Sequence, residues 1–257
     1  MSDSVVARLR RTGLGLLAVV AALAVLARAG RPLGGLDRAV LDAALDLRTG
    51  TGLHLAGIVT DSGTSPVLFP LIAAAGIAVR VRTGRWRPGI LAVVVAALGV
   101  LARFGLSQLV REPRPAEAAR AVAVGGFSFP SGHTVTSALV AGALAYLLHL
   151  LLRPAPARVA AAVLGLWAAL VGLSRVYLGV HWLSDVVAGW LFAAAVLTVL
   201  LIAGRDPAGR DPAERDPAER DPAEQSMAER GTVGGGPAGG DQGGATRAEQ
   251  PSRSVAT

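Results

Sequence analysis

The segment Pro130-Ser131-Gly132-His133 runs directly into nineteen largely apolar residues, TVTSALVAGALAYLLHLLL, at 134–152. A stretch of this length is close to the roughly 20 residues that an α-helix needs to cross a bilayer. It ends at Arg153-Pro154, a charged residue followed by one that cannot continue a helix interior. The segment therefore predicts a membrane-spanning helix with a short polar sequence at its first turn.

Five further apolar blocks accompany this helix. The six blocks together occupy approximately 14–27, 66–79, 89–110, 134–152, 159–173 and 182–203. They leave no room for a soluble core, and their alternation with arginine-bearing loops is typical of a polytopic protein. The predicted fold class is all-α, a polytopic membrane helix bundle of about six transmembrane helices, formed by residues 1–203.

Arginines set the predicted orientation in the membrane. All 25 basic residues are arginine, and they cluster before the first block, between the second and third, and between the fourth and fifth. These are alternate loops, so the positive-inside rule places them and both chain termini in the cytoplasm, beneath a cell membrane. Because the arginines flank apolar blocks, the predicted partner is the bilayer and not nucleic acid. The first block also admits a second interpretation, since Ala27-Arg28-Ala29 resembles a signal-peptide cleavage site.

Two stretches outside the blocks have their own patterns. Residues 36–47 carry apolar side chains at three- and four-residue spacing, which indicates an amphipathic helix. That helix is interpreted either as a connector packed on the bundle or as a lid beside a lipid-binding mouth. Residues 204–257 contain Arg-Asp-Pro-Ala-Glu repeats and glycine-rich sequence, so we predict a disordered cytoplasmic tail there.

Three short segments are polar where the architecture is otherwise apolar. They are Arg111-Glu112-Pro113-Arg114-Pro115, the segment 130–133 already quoted, and Ser174-Arg175 with His181 and Asp185 beyond it. On the predicted topology all three lie at the outer face of the membrane. They are therefore expected to meet in one site.

The residue types in these segments suit an anionic ligand. Ser131 and Gly132 lie at a helix N-terminus, where free backbone N–H groups and the helix dipole favour an anion. Arg114 and Arg175 carry planar guanidinium groups that match phosphate oxygens. The predicted ligand is a phosphate group.

Two histidines and one carboxylate complete the set. His181 and Asp185 are four residues apart at the start of the last block, so they share a helix face. A carboxylate in that position can hold Nδ1–H and leave Nε2 free as a nucleophile. His133 is then available as the acid that protonates the leaving oxygen.

These segments resemble the signature motifs of the type 2 phosphatidic acid phosphatase (PAP2) superfamily, which also contains vanadium haloperoxidases and glucose-6-phosphatase-like enzymes. The family pattern is Lys, six residues, Arg-Pro; then Pro-Ser-Gly-His; then Ser-Arg, five residues, His, three residues, Asp. The second and third patterns match in full at 130–133 and 174–185. The resemblance covers about residues 55–203, the motif-bearing core.

The resemblance implies a metal-independent enzyme without a cofactor, a phosphoric monoester or diphosphate hydrolase. His181 would attack phosphorus to form a phosphohistidine, Asp185 would orient it, and His133 would protonate the leaving group. The phosphoryl oxygens would be bound by Arg114, Ser131, Gly132 and Arg175. A site at the outer membrane face implies a lipid phosphate or diphosphate, such as phosphatidic acid, phosphatidylglycerophosphate or a polyprenyl diphosphate.

The first motif departs from the family pattern, because Ser107 stands where the family has lysine. We expect Arg111, one helical turn nearer the mouth, to lean back toward Ser107 and to substitute for the lysine. Arg103, one turn deeper, is expected to lean away from the site into the bilayer. The absent lysine leaves one alternative open, a catalytically weakened phospholipid-binding homologue. The resemblance leaves a second, a vanadium haloperoxidase-like enzyme that would hold vanadate in the same pocket.

Overall fold

The computed structural model describes residues 3–29 and 34–204 of the 257-residue chain. Within these ranges the chain forms eight α-helices and one short 3₁₀ helix, without strands. In chain order the α-helices are α1 Asp3–Arg28, α2 Gly35–Asp46, α3 Gly50–Ser62, α4 Ser65–Thr83, α5 Arg87–Val110, α6 Gly132–Leu151, α7 Pro154–Tyr177 and α8 Leu183–Ala203. The 3₁₀ helix, Glu117–Ala119, lies between α5 and α6. The predicted tail lies outside the described residues, except for Gly204.

Five helices in the described part of the chain are long and apolar enough to cross a membrane: α1, α5, α6, α7 and α8. The 24 residues of α5 extend over about 36 Å, which exceeds the roughly 30 Å of a hydrocarbon layer. Helix α4 coincides with the second apolar block and packs against α5 and α6, but it is not among the five. The predicted all-α polytopic bundle is therefore confirmed, with five such spans where about six were predicted.

Helix α6 lies at the centre of the bundle, in contact with α4, α5, α7 and α8. Its Val135, Leu139 and Leu147 are completely buried. Large apolar side chains on other helices, including Leu101 and Leu166, face outward instead. Exposed leucines of this kind are expected where a helix surface meets lipid tails.

Glycines allow α4 and α5 to pack at close range. A Cβ atom built on Gly76 of α4 would lie 2.9 Å from the Cα of Gly89 on α5, closer than real Cβ contacts. Lipid tails are as apolar as the helix surfaces, so close backbone packing between small residues replaces the hydrophobic effect in holding membrane helices together. The close contact at Gly76 and Gly89 fixes the start of α5 against α4, and it thereby sets the direction of the helix whose other end forms part of the site.

The segment between α1 and α4 contains two helices, α2 and α3, where the sequence indicated one. The amphipathic stretch at 36–47 corresponds to α2, whose Asp37 is buried and accepts hydrogen bonds from the N–H and Oγ–H of Ser184, both at 2.8 Å. These bonds tie α2 to the start of α8, as the connector interpretation requires. Helix α3 was not predicted; it begins at a Thr49 N-cap, whose side chain accepts from Gly52 N–H at 3.0 Å.

Candidate active site

A cavity of about 270 Å³ lies where the end of α5, the start of α6 and the α7–α8 connection meet. All three polar segments reach this end of the bundle, as predicted from hydropathy. Among the residues that line the cavity are Arg103, Ser107, Arg114, Gly132, His133 and His181.

His181 lies in the connection just before α8 and is almost completely buried. Its Nδ1 is 3.1 Å from Asp185 Oδ2, and its Nε2 is 2.9 Å from Arg114 Nη1. A guanidinium can only donate, so Nε2 must be the acceptor and the ring proton lies on Nδ1. In this tautomer Nε2 keeps its lone pair and points toward Arg114.

The charge state of His181 follows from the same surroundings. Burial lowers the pKa of His181 to about 4; the hydrogen bond and charge of Asp185 oppose the shift, and Arg114 and Arg175 add to it. The imidazole is therefore neutral at neutral pH, which a nitrogen nucleophile requires.

Asp185 is held by several donors at once. Its Oδ2 accepts from Ser128 Oγ–H, from His181 Nδ1–H, and from the backbone N–H of Trp182 at 2.9 Å. The last of these is the bond that an acidic residue in the first turn makes to the N-cap backbone. Asp185 thus caps α8 and orients His181 with the same oxygen.

Arg114 is fixed by backbone carbonyls on both sides of the cavity. Its guanidinium donates to Gly125 O and Gly126 O, each at 3.1 Å, and to Val180 O at 2.8 Å. The fourth contact is the one with His181 Nε2. Arg114 therefore covers the lone pair on His181 Nε2 in this structure.

The first turn of α6 forms the opposite wall. Ser131 is the N-cap, Gly132 is the first helical residue, and His133 faces the cavity, half-buried. The buried Ser131 Oγ has no hydrogen-bond partner in the described part of the chain, and the His133 ring forms no hydrogen bond there either. Ser131 itself is fully buried and is not among the residues that line the cavity, so Gly132 and His133 are the predicted site residues that this wall presents to a ligand.

Arg175 is close to the site but does not line the cavity. Its side chain is buried, and Nη1 donates to Thr60 Oγ1 on α3 at 2.8 Å. Its buried Nε has no partner among residues 3–29 and 34–204. Helix α3, which the sequence did not reveal, is therefore the element that anchors this predicted phosphate ligand.

Arg111 does not reach the cavity, which corrects the expectation that it replaces the motif lysine. Helix α5 ends at Val110, and Arg111 closes it in the left-handed conformation, with φ of 57°. The exposed side chain donates to Gln108 O at 2.9 Å and lies over the Phe127 ring. The expectation assumed that the helical stripe continues through residue 111, but a left-handed residue turns its side chain off that stripe.

Arg103 occupies the place that was expected for Arg111. Its Nε donates to Pro130 O at 3.1 Å, and the guanidinium lines the cavity beside Gly132. A Cβ atom built on Gly132 would lie 3.1 Å from Arg103 Cζ and 3.2 Å from each terminal nitrogen. The expectation that Arg103 leans into the bilayer was wrong, because a long side chain can climb one turn, about 6 Å, to reach a polar cavity.

Three further side chains around the site were not singled out from the sequence. Ser128 bonds Asp185, Asp37 bonds Ser184, and Glu112 is buried beside Asp185. Only Glu112 had a signal, since it lies within the first polar segment. The other two come from loops and helices whose neighbours depend on the folded chain.

Comparison with known proteins gives a family match over α4 to α8. A model of the PAP2 superfamily matches residues 66–206. Phosphatidylglycerophosphatase B of Bacillus subtilis (strain 168) is 34% identical over 172 residues, which is 66% of this chain and 83% of that protein. The crystal structure of a transmembrane PAP2-type phosphatidylglycerolphosphate phosphatase from Bacillus subtilis superposes with a TM-score of 0.68 at 30% identity, covering 74% of this chain and 94% of that one.

Proposed function

The chain belongs to the PAP2 superfamily and is a membrane lipid phosphatase, and from this premise we propose that it hydrolyses a phosphatidylglycerophosphate-type monoester through a phosphohistidine on His181. The observation that carries the proposal is the pairing of His181 with Asp185 on a basic cavity. The Bacillus subtilis relatives are named for phosphatidylglycerophosphate hydrolysis, which favours this substrate over the other lipid phosphates.

The first step joins His181 to the phosphoryl group. The phosphate displaces Arg114 Nη1 from Nε2 and takes over its hydrogen bond, so that the nucleophile is freed where the substrate is clamped. The Nε2 lone pair then forms a bond to phosphorus while the bond from phosphorus to the lipid oxygen breaks. His133, entering in its protonated form, gives its proton to that oxygen. Asp185 stabilises the positive charge that develops on the ring of His181.

The second step releases phosphate. Water attacks phosphorus, the bond from phosphorus to Nε2 breaks, and the water proton passes to His133, which is then protonated as at the start. The negative charge on the phosphoryl oxygens is stabilised throughout by fixed donors, namely Arg114 and the free N–H groups at the start of α6. Arg175, anchored on Thr60, adds positive charge from behind the cavity.

We further propose that Arg103 supplies the cation that the motif lysine supplies in other family members. The guanidinium lies against Gly132 with Nε bonded to Pro130 O, and its two terminal nitrogens form no hydrogen bond within residues 3–29 and 34–204. They are therefore available to phosphoryl oxygens at the N-terminus of α6. This cation speaks against the weakened-homologue alternative, which depended on the uncharged Ser107.

Phosphate release by the purified protein tests the function. Phosphatidylglycerophosphate, phosphatidic acid and a polyprenyl diphosphate are offered in detergent micelles, with His181→Ala as the control. We expect the first substrate to give the highest kcat/KM, and His181→Ala to lower it by on the order of 10⁶. Brief incubation with phosphate-labelled lipid should give an acid-labile phosphoprotein in the parent protein only. Label retained by His181→Ala contradicts the phosphohistidine, and equal rates on all substrates contradict the specificity.

We propose that the cavity faces the outside of the cell membrane. Arg82 near the end of α4, Arg85 in the α4–α5 turn and Arg87 at the start of α5 lie at the end of α5 opposite the cavity, and α5 is about 36 Å long. The positive-inside rule places that turn in the cytoplasm. The chain has no cysteine, so single cysteines at the exposed Ala123 and Thr83 report on the two ends. In intact cells an impermeant thiol reagent should label Ala123→Cys and not Thr83→Cys; the reverse pattern overturns the orientation.

A further inference from the structure

Glu112 is a buried acid next to the catalytic pair that the proposed chemistry does not use. It follows the end of α5 by two residues and is 2% exposed. Its backbone O accepts from Ser128 N–H at 2.9 Å, and Trp182 Nε1 donates to Pro113 O at 3.0 Å. These two bonds fasten the segment against Ser128 and Trp182, which are themselves donors to Asp185. The Glu112 side chain is thereby buried beside the Asp185 carboxylate.

The four oxygens of this carboxyl pair are partnered very unequally. Asp185 Oδ2 accepts from three donors, as described above. Asp185 Oδ1 and both Glu112 oxygens are buried and accept from no donor in the described ranges of the chain. An unpaired carboxylate in such a place is strongly unfavourable, and two of them in contact cannot both stay ionised. A single proton held by one of the two carboxyl groups removes the repulsion between them and supplies a hydrogen-bond donor.

The surroundings decide which acid holds that proton. Asp185 has three donors to stabilise a negative charge, whereas Glu112 has none among the residues that the structure describes. The charged groups that act on Glu112 are Asp185 from α8 and Asp37 from α2, and both are acidic. The neighbouring arginines are directed elsewhere: Arg111 to Gln108 O, and Arg114 to the carbonyls around the cavity. Burial, followed by Asp185 and then Asp37, raises the pKa of Glu112 to about 10.

We propose that Glu112 is a positioning residue, protonated at neutral pH, whose O–H donates to Asp185 Oδ1 and so holds Oδ2 in line with His181 Nδ1. The inference deepens the proposed function, because it assigns a role within the same His181–Asp185 unit. It extends that unit to three members, in which a neutral acid fixes an ionised acid and the ionised acid fixes the nucleophile. Deprotonation of Glu112 would place a second negative charge beside that of Asp185 and end this arrangement.

The proposal has a defined consequence for stability. Since the folded pKa of Glu112 is raised above its unfolded value, its stabilising contribution is complete below the unfolded pKa of about 4.3. It is lost progressively as pH rises toward 10. A Glu112→Gln variant keeps a donor to Oδ1 without this proton. It should therefore gain melting temperature relative to the parent protein between pH 7 and pH 10.

Two substitutions separate a positioning role from simple packing. Glu112→Gln should keep kcat on phosphatidylglycerophosphate within about threefold at pH 7, whereas Glu112→Ala should lower kcat by on the order of tenfold or more with little change in KM. Above pH 8 the parent protein should lose activity more steeply than Glu112→Gln. Equal losses in Gln and Ala variants, or parallel pH profiles for the parent protein and Glu112→Gln, overturn the proposal.

An infrared measurement makes the result independent of catalysis. The carbonyl stretch of a protonated carboxyl group should be present in the parent protein at pH 7, absent from Glu112→Gln, and retained in His181→Ala. A spectrum without that band at pH 7 refutes the protonated Glu112 even if the enzyme is fully active. If the band is present but no lipid phosphate is hydrolysed, the proposed function fails while the carboxyl pair stands.

Discussion

The two sides of the cavity differ in how their polar groups are partnered. On the nucleophile side, formed by Ser128, His181 and Asp185, each imidazole nitrogen has a partner and Asp185 Oδ2 has three donors. On the anion side, formed by Arg103 and the first turn of α6, the terminal nitrogens of Arg103 and the ring of His133 have no hydrogen-bond partner among the described residues.

This difference separates two tasks of a phosphoryl-transfer site. A nucleophile works best when its direction and tautomer are set before the substrate arrives, because ordering it later raises the barrier. Anion-binding groups must instead be left available, so that their strongest bonds form to the phosphoryl oxygens. Under the proposed mechanism, substrate binding completes the anion side and leaves the nucleophile side almost unchanged, apart from the release of His181 Nε2 by Arg114.

The largest loss is expected from disturbing the nucleophile side. Asp185→Asn keeps the size of the side chain but can present N–H to His181 Nδ1, which moves the ring proton to Nε2 and removes the nucleophilic lone pair. We expect kcat to fall by about 10⁴ with a melting temperature near that of the parent protein. Single-turnover kinetics with labelled lipid measure this step directly. A loss below tenfold would mean that the tautomer of His181 is not set by Asp185.

A smaller loss is expected from the anion side, and it should be repairable. Arg103→Ala should lower kcat/KM by on the order of 10², the usual effect of removing one transition-state donor. Arg111→Ala is the matched control and should be nearly silent, because that side chain is exposed and bonded to Gln108 O.

A lysine at position 107, where the family has lysine, should restore part of the kcat/KM that Arg103→Ala loses. Ser107 lines the cavity, so Ser107→Lys in the Arg103→Ala background should recover at least a tenth of the lost kcat/KM. If Arg111→Ala proves the more damaging of the two substitutions, the cation has been assigned to the wrong arginine.

Gly132→Ala tests the contact between the two parts of the anion side. The added methyl group would approach the Arg103 guanidinium to 3.1 Å, so the side chain must shift by a few tenths of an ångström. We expect about a tenfold rise in KM with a smaller change in kcat, because phosphate binding is displaced and the nucleophile is not. Combining Gly132→Ala with Arg103→Ala should cost little more than Arg103→Ala alone. Additive losses in the double variant would show that the two residues act separately.

The smallest change is expected on mild acidification. Protonated His181 cannot attack phosphorus, but its lowered pKa of about 4 leaves about nine tenths of the imidazole neutral at pH 5, against a few per cent for a histidine with the ordinary value. The value of kcat/KM in detergent should therefore not fall between pH 7 and pH 5, and should fall below about pH 4. A decline centred near pH 6.5 would mean that the nucleophile side is more hydrated than the structure indicates.

Several features of this protein could be predicted from the sequence because they are local. The bundle follows from apolar blocks whose length matches a bilayer, and each block is a continuous stretch of chain. The convergence of three polar segments follows from the same blocks, since alternate loops must emerge on the same side of the membrane. The pairing of His181 with Asp185 follows from a spacing of four residues at the start of one helix.

Other features depended on contacts that no spacing encodes. Arg103 lies within α5 and Arg111 directly follows its last residue, yet the left-handed conformation of Arg111 turns its side chain outward while the Arg103 side chain lines the polar cavity. Asp37 and Ser184 meet across 147 residues, and Glu112 becomes an uncharged donor only because the fold buries it against Asp185. Length and periodicity are properties of a segment, so the sequence determined the bundle and its motifs. Side-chain direction and protonation depend on what packs around a group, so only the tertiary structure decided which arginine enters the cavity and which acid is ionised.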